Sequence, residues 1–330
     1  QTKVCIICNK ENKRGKKHGE FYVNPDAFLQ GKGCPKCGYH LSNNEDEIYE
    51  YIKNNITCKI ERNNRTVLDG KEIDIYIPDK KIGIEYNGLN WHKESDRIDR
   101  YYHLNKTIEA SKKCVTLIHI FEDEFLNNKN IVLDKLSIIL GFKKFDKKIP
   151  GRKCIVKAIN KNKAKDFLNK NHIQGFVSSR VYIGAVFNDE LIAVMSFLKE
   201  KNDEWNLTRY STNIDYSCQG VASKILKCFI NQYNPKTIKS FLDRRWCFNE
   251  NDNLYTKLGF VVESILKPDY RYYKHTETKQ IRYHKFGFRK QILHKKYGFP
   301  LTMTETEMVK ELGYDKIWDC GLIKYKLKLE

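Results

Sequence analysis

Between residues 72 and 86 polar and apolar positions alternate: Glu72-Ile73-Asp74-Ile75-Tyr76-Ile77, a Pro78-Asp79-Lys80-Lys81 turn, then Ile82-Gly83-Ile84-Glu85-Tyr86. Period two broken by a polar turn predicts a β-hairpin. Upstream, Ser42-Asn43-Asn44-Glu45 reads as a capping box, and Ile48, Tyr51 and Ile52 continue an apolar stripe, so a helix is expected to about residue 54. Downstream, residues 96–113 read as helix, Val115 to Phe121 as a buried strand, and 122–141 as a second helix stopping at Gly141. Pro150 and Gly151 mark 143–152 as a linker. The second half reads as strand 152–159, helix 161–170, a hairpin over 180–198 turning at Asn188-Asp189, and strand 205–211. A helix after Gly220, strand 237–243, a short helix over 252–258 and a strand after Gly259-Phe260 complete it. Strands mixed with helices indicate an α/β fold around central sheets.

Composition narrows the class. The 330 residues are 41% hydrophobic and 31% charged with 18 Gly and 7 Pro, which fits two or three folded domains and excludes a fibre or a disordered chain. No apolar run is long enough to span a bilayer, and the opening residues lack the order of a secretion signal, so a non-secreted protein without a membrane partner is expected. Because the chain starts at Gln1, residues may precede it. Sixty Lys and Arg against 41 Asp and Glu leave a charge of +19, which makes nucleic acid the leading partner. From Lys267 to Pro300 ten cations face two acids, and Arg282, Arg289 and Lys290 are the expected phosphate contacts there.

Cysteine spacing adds a metal. Cys5 and Cys8, then Cys34 and Cys37, form two C-x-x-C pairs, and four thiolates so spaced suit one structural Zn²⁺. A redox C-x-x-C would need a βαβ context that is absent. His18 reads as a surface residue of the ribbon. In the hairpin, symmetric pairing about the turn puts Asp74 opposite Glu85, with Asn87 two residues on. Facing carboxylates repel, so either a divalent metal lies between them or the face is simply solvated.

Two resemblances sharpen this. Asp74 with Gly88, Trp91 and His92 resembles the very short patch repair endonuclease of the PD-(D/E)xK superfamily. The run Ile84 to His92, with Tyr102-His103-Leu104-Asn105-Lys106 and Ile118 to Glu124, resembles phage-encoded homing endonucleases of the EDxHD type, several of which carry a zinc ribbon. That likeness implies a zinc ribbon over 1–41, a restriction-endonuclease-like mixed-sheet nuclease domain over 42–148, a GNAT-like α/β domain gripping DNA over 149–298, and an extension over 299–330 packed on it. It implies Mg²⁺ (or Mn²⁺) held by Asp74, Glu85 and the Tyr86 carbonyl. Glu45 would hold a metal-bound water, His92 would transfer a proton, and Asp96 or Asp99 would complete the pattern. Asn87 stands where the repair enzyme has histidine, so mismatch specificity is not implied. The implied function is site-specific cleavage of double-stranded DNA in the cytoplasm of a bacterial host. Separately, Ser217-Cys218-Gln219-Gly220-Val221-Ala222 and Leu254 to Phe260 resemble a GNAT-type acyltransferase, whose helix N-terminus binds coenzyme A pyrophosphate. Ser217 replaces the Gln or Arg that leads that pattern. Arg244 and Arg245 would sit at a strand end near DNA. The alternatives are a GNAT-type acyltransferase acting on nucleobases or protein, or a DNA-binding protein with an inactive nuclease core.

Overall fold

The computed structural model describes residues 3–11, 17–29, 34, 43–96, 98–247, 249–277 and 280–329. The chain forms two compact units, Gln1–Ile48 and Tyr49–Glu330.

In the first unit, strands β1 (Val4–Glu11) and β2 (Lys17–Val23) pair antiparallel, with Cys5 opposite Tyr22 and Cys8 opposite Gly19. A short helix α1 (Pro25–Leu29) follows. Helix α2 (Asn43–Lys53) runs across the boundary between the units, with Glu45 and Asp46 in its first turn, where acidic side chains suit the helix dipole. Ser42 of the expected capping box lies outside the described residues.

The second unit opens with a four-stranded sheet, β3 (Glu61–Leu68), β4 (Lys71–Ile77), β5 (Ile82–Asn87) and β6 (Thr116–Phe121), ordered β3-β4-β5-β6. The hairpin register is the one the alternation dictates: Ile77 faces Ile82, Tyr76 faces Gly83 and Ile75 faces Ile84. Strand β6 runs parallel to β5 after the crossover helix α3 (Tyr102–Lys112). All six residues of β5 are buried, because the strand is central and both its faces are covered. The expected helix over 96–113 begins only at Tyr102: Asp99 Oδ1 accepts from the Tyr101 N–H at 2.6 Å, an Asx turn that redirects the chain first. Helix α4 (Glu122–Ile139) follows, with non-helical backbone at Asn128.

The expected linker over 143–152 is an ordered segment. Its strand β7 (Lys147–Lys148) pairs with β12 (Tyr216–Ser217), and Ile149 is buried.

A seven-stranded sheet then forms from β8 (Ile155–Ala158), β9 (Val181–Phe187), β10 (Glu190–Lys199), β11 (Glu204–Thr212), β13 (Thr237–Asp243), β14 (Val261–Ile265) and β18 (Leu322–Lys328), ordered β14-β18-β13-β11-β10-β9-β8. Residues 322–328 therefore complete this sheet between β13 and β14 and are not an added extension. Helices α5 (Lys161–Asn171), α6 (Val221–Tyr233) and α7 (Leu254–Lys257) connect its strands. Its core includes Phe197 stacked on Phe229 with ring centroids 3.6 Å apart. Between β14 and β18 the chain inserts β15 (Tyr270–Tyr273), β16 (Tyr283–His284), α8 (Lys290–Tyr297), α9 (Glu305–Glu311) and β17 (Asp315–Trp318). Its three strands form a small antiparallel sheet. No described helix is long and apolar enough to cross a membrane.

Candidate functional site

The β4–β5 hairpin carries the residues that the sequence singles out for chemistry. Asp74 Oδ2 accepts from the Tyr86 N–H at 2.7 Å, so this backbone unit fixes the carboxyl through its amide. Glu85, 3% exposed, forms an ion pair with Lys106 of α3. Burial, and then the Glu85 charge, push the Asp74 carboxyl up to about 8. Burial alone would lower Lys106, but Glu85 more than offsets it and the ammonium is held. Burial raises the Glu85 carboxyl too, against the pull of the Lys106 ammonium, so near pH 7 a protonated Asp74 lies beside the Glu85–Lys106 pair. Lys106 supplies the positive charge that the sequence pattern assigns to a divalent ion.

Around this group lie three imidazoles. His92 stacks on His103 with centroids 5.0 Å apart, and His103 meets His119 edge to face at 5.4 Å. His119 is placed by Asn87 Nδ2 at 3.3 Å from its Nδ1 and by Thr107 Oγ1 at 2.9 Å from its Nε2. Asn87 thus orients a buried ring. Both nitrogens of His103 and Nδ1 of His92 are buried without a partner. Burial lowers His92 to about 4, and His103 and His119 fall well below the usual imidazole range, with neighbouring cations adding to the effect. Glu45 is a buried first-turn residue of α2 in the other unit. The Asp96 side chain lies outside the described residues, and Asp99 caps Tyr101.

These shifts set a pH dependence. His92, His103, His119 and His172, the last lowered to about 3 mainly by burial, are neutral when folded and titrate near 6.5 when unfolded. From pH 6.5 down to about 4 the unfolded chain takes up more protons, so stability falls with pH. Asp74 works the other way: it keeps its proton in the fold, and that contribution is lost as pH rises from the ordinary carboxylate range through 8. On the acid side the four imidazoles, with the lowered Glu124 carboxyl, outweigh the raised carboxyls of Asp74, Glu85 and Asp319, and above pH 6.5 Asp74 goes on losing its contribution through about 8. Melting temperature should peak near pH 6.5 and drop more steeply towards pH 4.5 than towards pH 8.5. A scan of melting temperature against pH that peaks near pH 5 contradicts this balance.

The acidic run at the start of α4 holds the second unit together. Arg245 lies between Glu124, at 2.7 and 2.8 Å, and Asp243, at 2.6 Å, and is 4% exposed. Arg282 bonds Asp123 at 2.8 Å, lies 3.3 Å from Glu124, and stacks 3.7 Å over the Phe121 ring. Glu122 accepts from the Leu89 N–H at 2.9 Å. Burial would raise the Glu124 carboxyl, yet Arg245 and then Arg282 hold it down to about 2. Sequence alone puts Arg245 and Arg282 on DNA. Both are buried ion-pair partners and cannot reach a phosphate without breaking those pairs. Arg244 beside them is half-buried, and Arg289 is exposed with its guanidinium 3.8 Å from the Phe286 ring centroid. Lys290 is half-buried.

In the first unit, Cys8 Sγ lies 3.7 Å and Cys34 Sγ 3.9 Å from His18 Nδ1, and the three ligand atoms all fall within 4.8 Å of one another. That set can hold a metal ion. It differs from the expected four thiolates: His18 takes part, the exposed Cys5 lies opposite Tyr22, and Cys37 is outside the described residues.

The seven-stranded sheet has one parallel neighbour pair, β11 and β13, and it pairs only at Glu204–Thr237, Trp205–Ile238 and Asn206–Lys239. Beyond these the two strands part, while each keeps its other neighbour. Part of the gap is closed by Ser240 Oγ donating to the Leu207 carbonyl at 2.9 Å. Gly220, at φ +75, then starts α6.

No described protein family matches the chain, and no curated protein does. Solved structures similar in part include a Bacillus subtilis acetyltransferase in complex with CoA, at 14% identity and TM-score 0.32, over 54% of this chain and 100% of that one. The ribosomal-protein-S18-alanine N-acetyltransferase of Escherichia coli matches at 13% and 0.32, over 54% and 94%. A GNAT family acetyltransferase of Elizabethkingia anophelis with acetyl-CoA bound matches at 12% and 0.31, over 54% and 99%. The chain has a mixed α/β fold, and these neighbours align with about half of it. These similar proteins are acetyltransferases and not nucleases. That comparison corrects the expectation of a phage-type, Mg²⁺- or Mn²⁺-dependent endonuclease hydrolysing phosphodiesters.

Coenzyme A, bound in two of those structures, makes specific demands on the residues here. A pyrophosphate would need the turn before α6 and the helix's first N–H groups. That edge is taken by residues 146–151: the Asp146 N–H bonds the Asp215 carbonyl, Ile149 that of Ser217, and Gly151 that of Gln219. A Cβ at Gly151 would lie 2.7 Å from the Gly220 carbonyl carbon and 2.9 Å from the Val221 nitrogen. The residues present do not fit the group, and no reaction step is routed through it.

Proposed function

We propose that this chain binds double-stranded nucleic acid through the basic surface of its second unit, with the GNAT-like sheet as scaffold. The observation that carries this is the segment from Lys285 to Tyr297. Helix α8 buries Leu293 and exposes Lys295 and Lys296, with Arg289 exposed just before it. None of Arg289, Lys290, Lys295 and Lys296 makes an ion pair among the described residues, whereas Arg282 and Lys285 do. Exposed Phe286 and Tyr297 stand beside them. Uncompensated cations next to aromatic rings suit a phosphate backbone. On α5, exposed Lys161, Lys163, Lys165 and Lys170 extend the same character. The test is duplex binding by fluorescence anisotropy with Arg289, Lys295 and Lys296 replaced by Ala, alongside an acetyl-CoA titration. Weakened duplex binding in the variant supports the reading. Saturable acetyl-CoA binding with no duplex affinity would replace it by acyl transfer, the activity named for the similar structures.

For the first unit we propose a zinc ribbon in which His18 joins the cysteines. Purified protein should carry close to one metal ion per chain, and His18→Ala should lose it as Cys34→Ser does. Retention of full metal content by His18→Ala, measured by mass spectrometry, contradicts His18 as a ligand.

A further inference from the structure

A cavity of about 510 Å³ lies where α4 meets the free end of β11, beside the point at which the seven-stranded sheet opens. Its walls are largely apolar, with Ile131, Ile138, Phe145 and Leu254 among them. The polar groups on the wall are mostly matched within the protein. Asp134 pairs with Lys143, the Asn171 amide bonds the Phe167 carbonyl and the Ile214 N–H, and His172 Nδ1 accepts from the Gln174 N–H. Lys135 is the exception. It is half-buried, lies 4.4 Å from the Trp246 ring centroid, and makes no ion pair among the described residues. The Trp246 indole N–H on the same wall is buried without an acceptor.

Asp243 and Glu124 act on the Lys135 ammonium only from beyond ion-pair distance, and a buried ammonium with no carboxylate against it is costly unless a ligand brings one. We propose that this cavity is a binding site for a small apolar carboxylic acid, whose carboxylate pairs with the Lys135 ammonium while its hydrocarbon body lies on the isoleucine and phenylalanine wall. The walls alone would take any apolar molecule of suitable size; the lone ammonium selects the acid. Burial lowers the Lys135 amine to about 8, with Asp243 opposing, so a carboxylate would also restore its charge. The site draws on α4 of the first sheet as much as on β11, and it requires neither nucleic acid nor coenzyme A.

The experiment is calorimetric titration of the full chain with octanoate and 1-naphthoate, and with 1-octanol and 1-naphthalenemethanol as uncharged counterparts. A charge-assisted pair predicts that each acid binds at least about tenfold more tightly than its alcohol. Lys135→Met should remove that preference, and Lys135→Arg should keep most of it. Equal affinity for acid and alcohol, no binding of either acid, or an unchanged preference in Lys135→Met would overturn the proposal. If Lys135→Met does not fold, the acid-to-alcohol ratio in the unmodified protein decides alone.

Discussion

Glu124→Ala should destabilise the second unit by about 3–5 kcal/mol, the usual consequence of removing one partner from a buried ion pair. Glu124 takes two bonds from Arg245 and lies 3.3 Å from Arg282, and both guanidiniums belong to residues at most 6% exposed. Without it Arg245 keeps Asp243 and Arg282 keeps Asp123, so neither is wholly stranded, but two buried cations then share two carboxylates at close range. For a unit of this size the loss corresponds to a fall in melting temperature on the order of 10 °C. Part of it is the penalty of unpaired charge and not the worth of the pair, so Glu124→Leu combined with Arg245→Met should recover a share of the stability. Chemical denaturation of the three proteins measures this. A single variant within about 1 kcal/mol of the unmodified chain contradicts the assignment of this network as structural.

The network also shows where sequence stops being informative. Alternation from Glu72 to Tyr86 determines the hairpin register, because a one-residue slip would turn Ile73, Ile75 and Ile77 of β4 from its buried face to its half-buried one. The residue that neutralises Glu85 lies 21 positions away on α3, and no local pattern couples the two. The signal that points to it is helical spacing: His103, Lys106 and Thr107 fall on one face of α3, an unusual polar group for a helix that must pack on a sheet. Arg245 and Arg282 read as surface cations because their partners Asp123 and Glu124 are 121 to 159 residues distant. Local charge density cannot distinguish a basic surface from one half of a buried ion pair. The segment expected to be a linker is ordered for a related reason. Pro150 and Gly151 do mark a turn, yet the backbone there is paired with the turn before α6, and Gly151 is needed because the approach leaves no room for a side chain. Cysteine spacing by itself draws attention away from His18, although its place on β2 brings its ring to Cys8 and Cys34.

The larger effect concerns binding. A protein that neutralises 6–10 phosphates loses roughly 10³- to 10⁵-fold in affinity between 50 and 200 mM salt, because each contact releases a condensed counterion. The unpaired cations of α8 and the segment before it, Arg289, Lys290, Lys295 and Lys296, supply part of a footprint of that order. Phosphate contacts of this kind weaken binding to every sequence alike when removed, whereas loss of a base contact would weaken one sequence selectively.

The most direct measurement is the slope of log Kobs against log salt for a duplex of about 30 base pairs, taken for the unmodified chain and for the variant with Arg289, Lys295 and Lys296 replaced by Ala. The expected result is a linear slope of about −0.9 per phosphate neutralised, reduced in magnitude by roughly 0.9 for each phosphate that the three substitutions leave unneutralised, with the melting temperature unchanged. No binding at 50 mM salt, or the same slope in both proteins, would contradict nucleic-acid binding through this surface.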